Sequence, residues 1–357
     1  MKVAILNFQY STHNYGAVLQ AAALEYVCRK FGHDAMHLDF MAWPKVSFIG
    51  RAGRLLSRMG LRKKLRANPF GNVEAFERFR EVYISRTKRI DSPQEFSRVA
   101  EQFDCVIVGS DQVWRPAYAK DIMAFFLGYV PKGIRRIAYA ASFGTDFWEL
   151  EDELTVTAKL RDQLHQFEAI SCREESGVEI CRNVFDVDAV HVLDPVLLVD
   201  DAFIRKIVSQ SLVDQGNKLV YYKLDSTADF QDDVRIISSK LGSKAVNTYY
   251  KDSGDREYRE VADWLKLILD AEVVISDSFH CICLALRLGK EIIYCPNDSK
   301  GQARLDSLFK KFEVDIEPLP FKLVTPMFRV SQRGDVNAIL EWERKQSLNF
   351  LSEALDG

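Results

Sequence analysis

Short apolar runs alternate with amphipathic stretches along most of the chain. Residues 2–8 read as a buried strand and 9–14 as a polar loop; 15–31 read as a helix, with Leu24, Val27, Cys28 and Phe31 on one face. Gly32 suits the helix C-cap, and the next strand lies within 34–40. The rhythm repeats at 104–110, 134–142, 168–172 and 189–192. After Pro195 and the polar stretch 214–217 it resumes with a strand at 218–222 and a helix at 261–269. Residues 273–275 are a short strand, and Ser276, Asp277 and Ser278 are N-cap candidates. The helix that follows carries Ile282, Leu284, Ala285, Leu286 and Leu288, stops at Gly289 and leads to a strand at 292–294. Strand–helix alternation of this kind predicts an α/β fold with parallel sheets. The breaks divide the chain into domains at 1–195 and 196–330 and a terminal helix within 331–357.

One segment departs from the rhythm, within a basic insertion at about 45–90. Between Lys45 and Asn68 there are eight Lys or Arg and no Asp or Glu, while Phe48, Ala52, Leu55, Leu56 and Met59 recur at helical spacing. A basic stripe beside an apolar face is the pattern of a helix lying on an anionic membrane surface, and equally that of a solvated surface helix. Composition adds exclusions. A net charge of −3 disfavours general nucleic-acid binding. No run of 18 apolar residues is present, and the N-terminus begins directly as a strand. Seven cysteines, most in apolar elements and none in a C-x-x-C pair, fit a reducing cytoplasm. No residues have metal-ligand spacing, and no bound cofactor is expected.

The chemistry-bearing residues gather where strands give way to helices, the edge at which open α/β sheets bind ligands. Asn14, Tyr15 and Gly16 open the first helix, with little side chain at Gly16 to keep a ligand from its N–H groups. Asp111 follows the third strand, placed to face a cleft or to cap the turn leading to Trp114. Arg173 ends a strand and opens a helix, free to bind an anion or to pair with Glu174 or Glu175. His280 falls in a first helical turn, where it serves as a ligand or as a cap of its own turn. The rings of Tyr15 and Trp114 suit either a sugar face or a core.

Asn14-Tyr-Gly-Ala-Val-Leu-Gln20, Val108-Gly-Ser-Asp-Gln-Val-Trp114, Ala138-Tyr-Ala-Ala-Ser-Phe-Gly144, Arg173-Glu-Glu-Ser-Gly177, Leu193-Asp-Pro-Val196 and Ser276-Asp-Ser-Phe-His280 occur in this order. Together they resemble the polysaccharide pyruvyl transferase family over residues 1 to about 310. The resemblance implies two Rossmann-like domains facing a cleft, as in GT-B glycosyltransferases. By analogy with such proteins, the last helix is expected to pack back on the first domain. It further implies transfer of a pyruvyl group from phosphoenolpyruvate to a sugar as a ketal, with phosphate released.

On this resemblance Arg173 matches the arginine that binds phosphoenolpyruvate, and His280 the motif histidine, expected to hold the phosphate and donate a proton. Some members carry Arg-Leu before this histidine; here Ser278 and Phe279 stand there, with Cys281 where Gly is common. Arg304 is the candidate for the missing charge, and Ser278 is expected beside the donor. Asp111 is expected as hydroxyl base, with Asn14, Tyr15, Gly16 and Trp114 around the acceptor sugar, free or lipid-linked. The expected location is the cytoplasm or the inner face of the membrane, reached through 45–66. A nucleotide-sugar glycosyltransferase and a non-catalytic sugar-binding relative are the competing readings.

Overall fold

The computed structural model describes residues 1–40, 73–213, 218–223, 225–251, 257–297 and 302–357. The basic segment at 45–66 and the polar stretch at 214–217 lie outside the described residues.

The first sheet is wholly parallel and contains β1 (Lys2–Leu6), β2 (Asp34–His37), β3 (Cys105–Val108), β4 (Arg135–Ala141), β5 (Ala169–Cys172) and β6 (Val190–His191), in the order β2-β1-β3-β4-β5-β6. The second contains β7 (Leu219–Tyr222), β8 (Ala245–Asn247), β9 (Val273–Ser276), β10 (Glu291–Tyr294), β11 (Val314–Pro318) and β12 (Phe328–Gln332), in the order β11-β12-β10-β9-β7-β8. β10, β9, β7 and β8 run parallel, and β12 and β11 add an antiparallel pair at the other edge. That edge is absent from the sequence reading. Its residues are largely polar and half-exposed, so they lack the apolar run that marked the buried strands.

The described helices are α1 (Tyr15–Lys30), α2 (Glu74–Tyr83), α3 (Pro93–Ala100), α4 (Ile122–Phe125), α5 (Leu154–Leu164), α6 (Glu175–Phe185), α7 (Pro195–Leu198), α8 (Asp201–Val208), α9 (Ala228–Leu241), α10 (Val261–Asp270), α11 (Phe279–Arg287), α12 (Gln302–Lys311) and α13 (Val336–Asp356). The strands and helices that the alternation placed are found close to those positions, and α9 and β8 come in addition to them. The long α1 is buried nearly all round from Tyr15 to Leu24, not on one face alone. A helix of that kind is enclosed by protein on several sides, and α1 packs against β2, α2, α7 and α11.

The two halves are joined tightly at the start of α1. The Tyr15 hydroxyl donates to the carbonyls of Arg259 and Tyr249, 2.8 and 3.1 Å away. Its ring stacks on Trp264 with centroids 5.1 Å apart. The C-terminal α13 returns to the first domain. Ser347 Oγ accepts the Leu193 N–H, and the Arg135 guanidinium donates to the carbonyls of Ala354 and Leu355.

Candidate active site

Ends of strands from both sheets converge on one buried cluster. Arg173 follows β5, Ser110 and Asp111 follow β3, Asp194 precedes α7, and His280 lies in the first turn of α11. The Arg173 Nη1 donates to Asp194 Oδ2 at 2.9 Å and to Ser110 Oγ at 3.3 Å, and lies 3.3 Å from His280 Nε2. His280 Nε2 is 3.4 Å from the same Asp194 oxygen, which also accepts the Ser110 hydroxyl at 2.7 Å. The other Asp194 oxygen accepts the Val196 N–H. Arg173 Nη2 lies 3.7 Å from Asp111 Oδ1. Residues 107 apart in sequence, one from each domain, thus share a single ionic network.

The cluster is shut off from solvent: Arg173 and His280 are each 3% exposed and Asp194 1%. Burial strengthens every charge interaction within it. For Asp194, burial alone would push the carboxyl up. The opposing pull of His280 and Arg173, with the Val196 N–H, holds it well below the usual carboxylate range. For Arg173, burial would lower the guanidinium, and Asp194, Asp111 and Glu174 together raise it instead. Glu174 is pushed up by burial, against the pull of Arg173 and Arg304.

Arg304, on α12, completes the positive side. Burial first, then repulsion from Arg173, brings its guanidinium down to about 10. Both arginines sit over the Phe279 ring, Arg173 Cζ at 4.4 Å and Arg304 Cζ at 5.8 Å from its centroid. Cations favour such a π face. Three buried nitrogens of the pair make no hydrogen bond: Arg173 Nε, Arg173 Nη2 and Arg304 Nε. Unpartnered guanidinium N–H groups this deeply buried are costly, and a multivalent anion is their natural complement.

Gly16 meets this cluster from α1. A Cβ at Gly16 would lie 2.2 Å from His280 Nδ1 and 2.4 Å from Cγ, so the imidazole occupies the space a side chain would fill. The bare backbone expected to admit a ligand admits the histidine ring. Asn14 caps α1, its side chain accepting the Ala17 N–H at 3.3 Å. Ser278 is the N-cap residue of α11 without a side-chain capping bond, and its own N–H donates to Ser276 Oγ. Asp111 turns its carboxylate toward its own turn and toward Arg173. It accepts the Gln112 N–H at 2.9 Å while facing Arg173, and it holds a left-handed φ of 87°.

Two expectations are corrected. Trp114 is fully buried, its indole N–H bonded to the Phe125 carbonyl and its ring packed on Phe126 and Phe143. Tyr15 is equally buried in the inter-domain aromatic cluster. Neither ring offers a face to a sugar, because core packing takes up both. Conversely, sequence reasoning gave no role to Asp194, Ser110 or Phe279. The signal for Asp194 was an acidic residue before Pro195 within Leu193-Asp-Pro-Val196, which reads locally as a helix cap. Among the described residues no group of three or more His, Cys, Asp or Glu could hold a metal, and no helix is long and apolar enough to cross a membrane.

A family model described as polysaccharide pyruvyl transferase matches residues 14–299. No curated protein matches the chain in sequence. Among solved structures, UDP-GlcNAc 2-epimerase from Neisseria meningitidis bound to UDP-GlcNAc aligns with a TM-score of 0.53 and 13% identity, over 99% of this chain and 99% of that one. A structure described as a putative UDP-N-acetylglucosamine 2-epimerase from Listeria monocytogenes aligns with a TM-score of 0.51 and 10% identity, over 99% and 90%. At such identities the likeness is one of fold: two Rossmann-like domains in the GT-B arrangement.

Proposed function

The chain belongs to the polysaccharide pyruvyl transferase family, and on that premise we propose that it transfers the pyruvyl group of phosphoenolpyruvate to a sugar diol as a cyclic ketal, releasing phosphate. The observation that carries this reading is the trio of buried guanidinium nitrogens on Arg173 and Arg304 that make no hydrogen bond, with Arg173 beside His280. Phosphoenolpyruvate is a compact anion with a carboxylate and a phosphate on one carbon. Two guanidinium forks hold such oxygens in pairs, which a lysine does not. Arg304 then stands in for the arginine absent before His280, reaching the donor from α12 rather than α11.

The reaction assigns each group one task. His280 gives a proton to the methylene carbon, leaving an oxocarbenium-like centre at the carbon that bears phosphate. A sugar hydroxyl adds there, with Asp111 taking its proton. The carbon–oxygen bond to phosphate breaks, the arginines stabilise the departing anion, and the second hydroxyl closes the ring. Of the two hydroxyl protons, one ends on the new methyl group and one on phosphate. The arginines contribute to rate to the extent that they hold the leaving phosphate better than the bound donor. Asn14 and Ser278 border this region from α1 and α11.

Titration with phosphoenolpyruvate, followed by thermal shift and by phosphate release with a sugar acceptor, tests the reading. A rise in melting temperature with phosphoenolpyruvate and acceptor-dependent phosphate release are expected. Release of UDP or CMP from a nucleotide sugar, with no response to phosphoenolpyruvate, would replace this reading with glycosyl transfer.

A further inference from the structure

Among the described residues Asp194 is the one carboxylate that touches both Arg173 and His280, and the transfer reaction gives it no task. Its Oδ2 accepts from Ser110 at 2.7 Å and from Arg173 at 2.9 Å, and His280 Nε2 waits at 3.4 Å. A carboxylate oxygen serves two close donors well, so the third contact is long. Arg173 Nη1 is itself 3.3 Å from His280 Nε2, so guanidinium and imidazole crowd the same oxygen.

We propose that Asp194 is a positioning residue that changes its main partner when the donor binds, from Arg173 to His280. This rests on the reading of the donor as phosphoenolpyruvate. An anion that engages Arg173 competes with Asp194 for its N–H groups. Asp194 Oδ2 is then released to the His280 Nε2–H, fixing the orientation of the ring. Donor binding and readiness of the acid become one event, because one oxygen cannot serve both partners equally.

The groups facing His280 are few. Arg173 and Asp194 touch it directly; Asp111 and Glu174 act on it through Arg173; Phe279 precedes it with ring centroids 5.4 Å apart; α1 presents Gly16, with no titratable group. Asp194 is the only carboxylate among them within 4 Å of the ring. It stays ionised throughout the working range, its carboxyl being held well below the usual value against the cost of burial.

Asp194→Asn keeps the size of the side chain and an acceptor oxygen for Ser110 and Arg173. The expected result is a split. Donor affinity holds or tightens, because the carboxylate charge that competes for Arg173 is removed. Phosphate release at saturating donor falls at least tenfold, and the basic limb of its pH profile moves to lower pH. A purely structural role would lower donor binding and turnover together and leave the pH profile in place, which would overturn the proposal. So would wild-type turnover in the folded variant. If Asp194→Asn does not fold, Asp194→Glu carries the test: retained charge should keep the basic limb in place while turnover falls through misplacement, and a displaced limb overturns the idea. Wild-type protein that neither binds phosphoenolpyruvate nor releases phosphate would instead sink the underlying reading, before any variant is measured.

Discussion

A single methyl group at Gly16 tests the geometry of the cluster directly. In Gly16→Ala the new Cβ would sit 2.2 Å from His280 Nδ1, against an ordinary contact of 3.4 Å, so the ring must retreat by the difference of 1.2 Å. It retreats from α1, in a pocket whose other walls are Arg173 and Asp194 at 3.3 and 3.4 Å. Overpacking of this kind costs about 1–3 kcal/mol of stability. The catalytic effect should be larger in proportion, since a displacement of about 1 Å at reacting groups costs on the order of 100-fold in rate. The variant should therefore melt several degrees lower, stay folded, and lose about two orders of magnitude in phosphate release. Donor affinity should fall less, because Arg173 and Arg304 approach from other elements. Circular dichroism, a melting curve and a coupled phosphate assay suffice. Wild-type turnover in a folded Gly16→Ala protein would refute the placement of His280 against α1, and with it the acid role.

Arg173→Ala should lower stability as well as donor binding. It leaves Asp194 and Asp111 buried without their cation, a loss of about 3–5 kcal/mol by the usual cost of a broken buried pair. Arg173→Lys keeps the charge and should preserve the fold while weakening donor binding in calorimetry. Equal stability for the two variants would count against a buried ionic network. His280→Gln should reduce turnover far more than donor affinity; near-normal turnover by steady-state kinetics would remove His280 as the acid. Stability should also depend on pH through His37, which burial brings down to about 3. The unfolded imidazole, near 6.5, binds protons first. The stability held by the neutral ring is intact above that value and drains away as pH falls from about 6.5 toward 3. His37→Gln should flatten that stretch of a denaturation-versus-pH curve, and an unchanged slope would refute it.

The fold was legible because its buried strands are short and uniformly apolar. Val273–Ser276, for example, lies fully buried between β7 and β10 and reads as a strand with no help from its neighbours. Gly289, at a left-handed φ of 64°, marks the end of the following helix as its sequence position suggested. Arg173 and His280 stood out at strand-to-helix junctions and Arg304 only through the family resemblance; the structure brings all three around Phe279. Asp194 did not stand out. Its local pattern explains it completely as a cap, and its second oxygen acquires meaning only when β3, β5 and α11 bring Ser110, Arg173 and His280 to it. Tyr15 and Trp114 failed for the opposite reason. An aromatic ring in a motif looks the same whether a sugar or a core covers it, and three-dimensional neighbours decide. The antiparallel pair β11 and β12 is held by an edge register and carries little apolar signal of its own.

The inter-domain clasp at Tyr15 has a mechanical consequence. Its hydroxyl is bonded to two carbonyls of the second domain, and its ring is clamped by Trp264, one residue from Gly16. Across the same seam, α12 meets α6 through a Ser307 hydroxyl and an exposed Lys310–Glu175 pair, contacts worth about 1 kcal/mol or less apiece for the ion pair. The molecule is thus riveted at one end of the seam and latched at the other. Relative rotation would have its axis near Tyr15, where atoms barely travel, and its widest swing near Arg304. In such a rotation the arm on α12 would travel relative to the one after β5, and an incoming anion would meet Arg173 first and be enclosed last by Arg304.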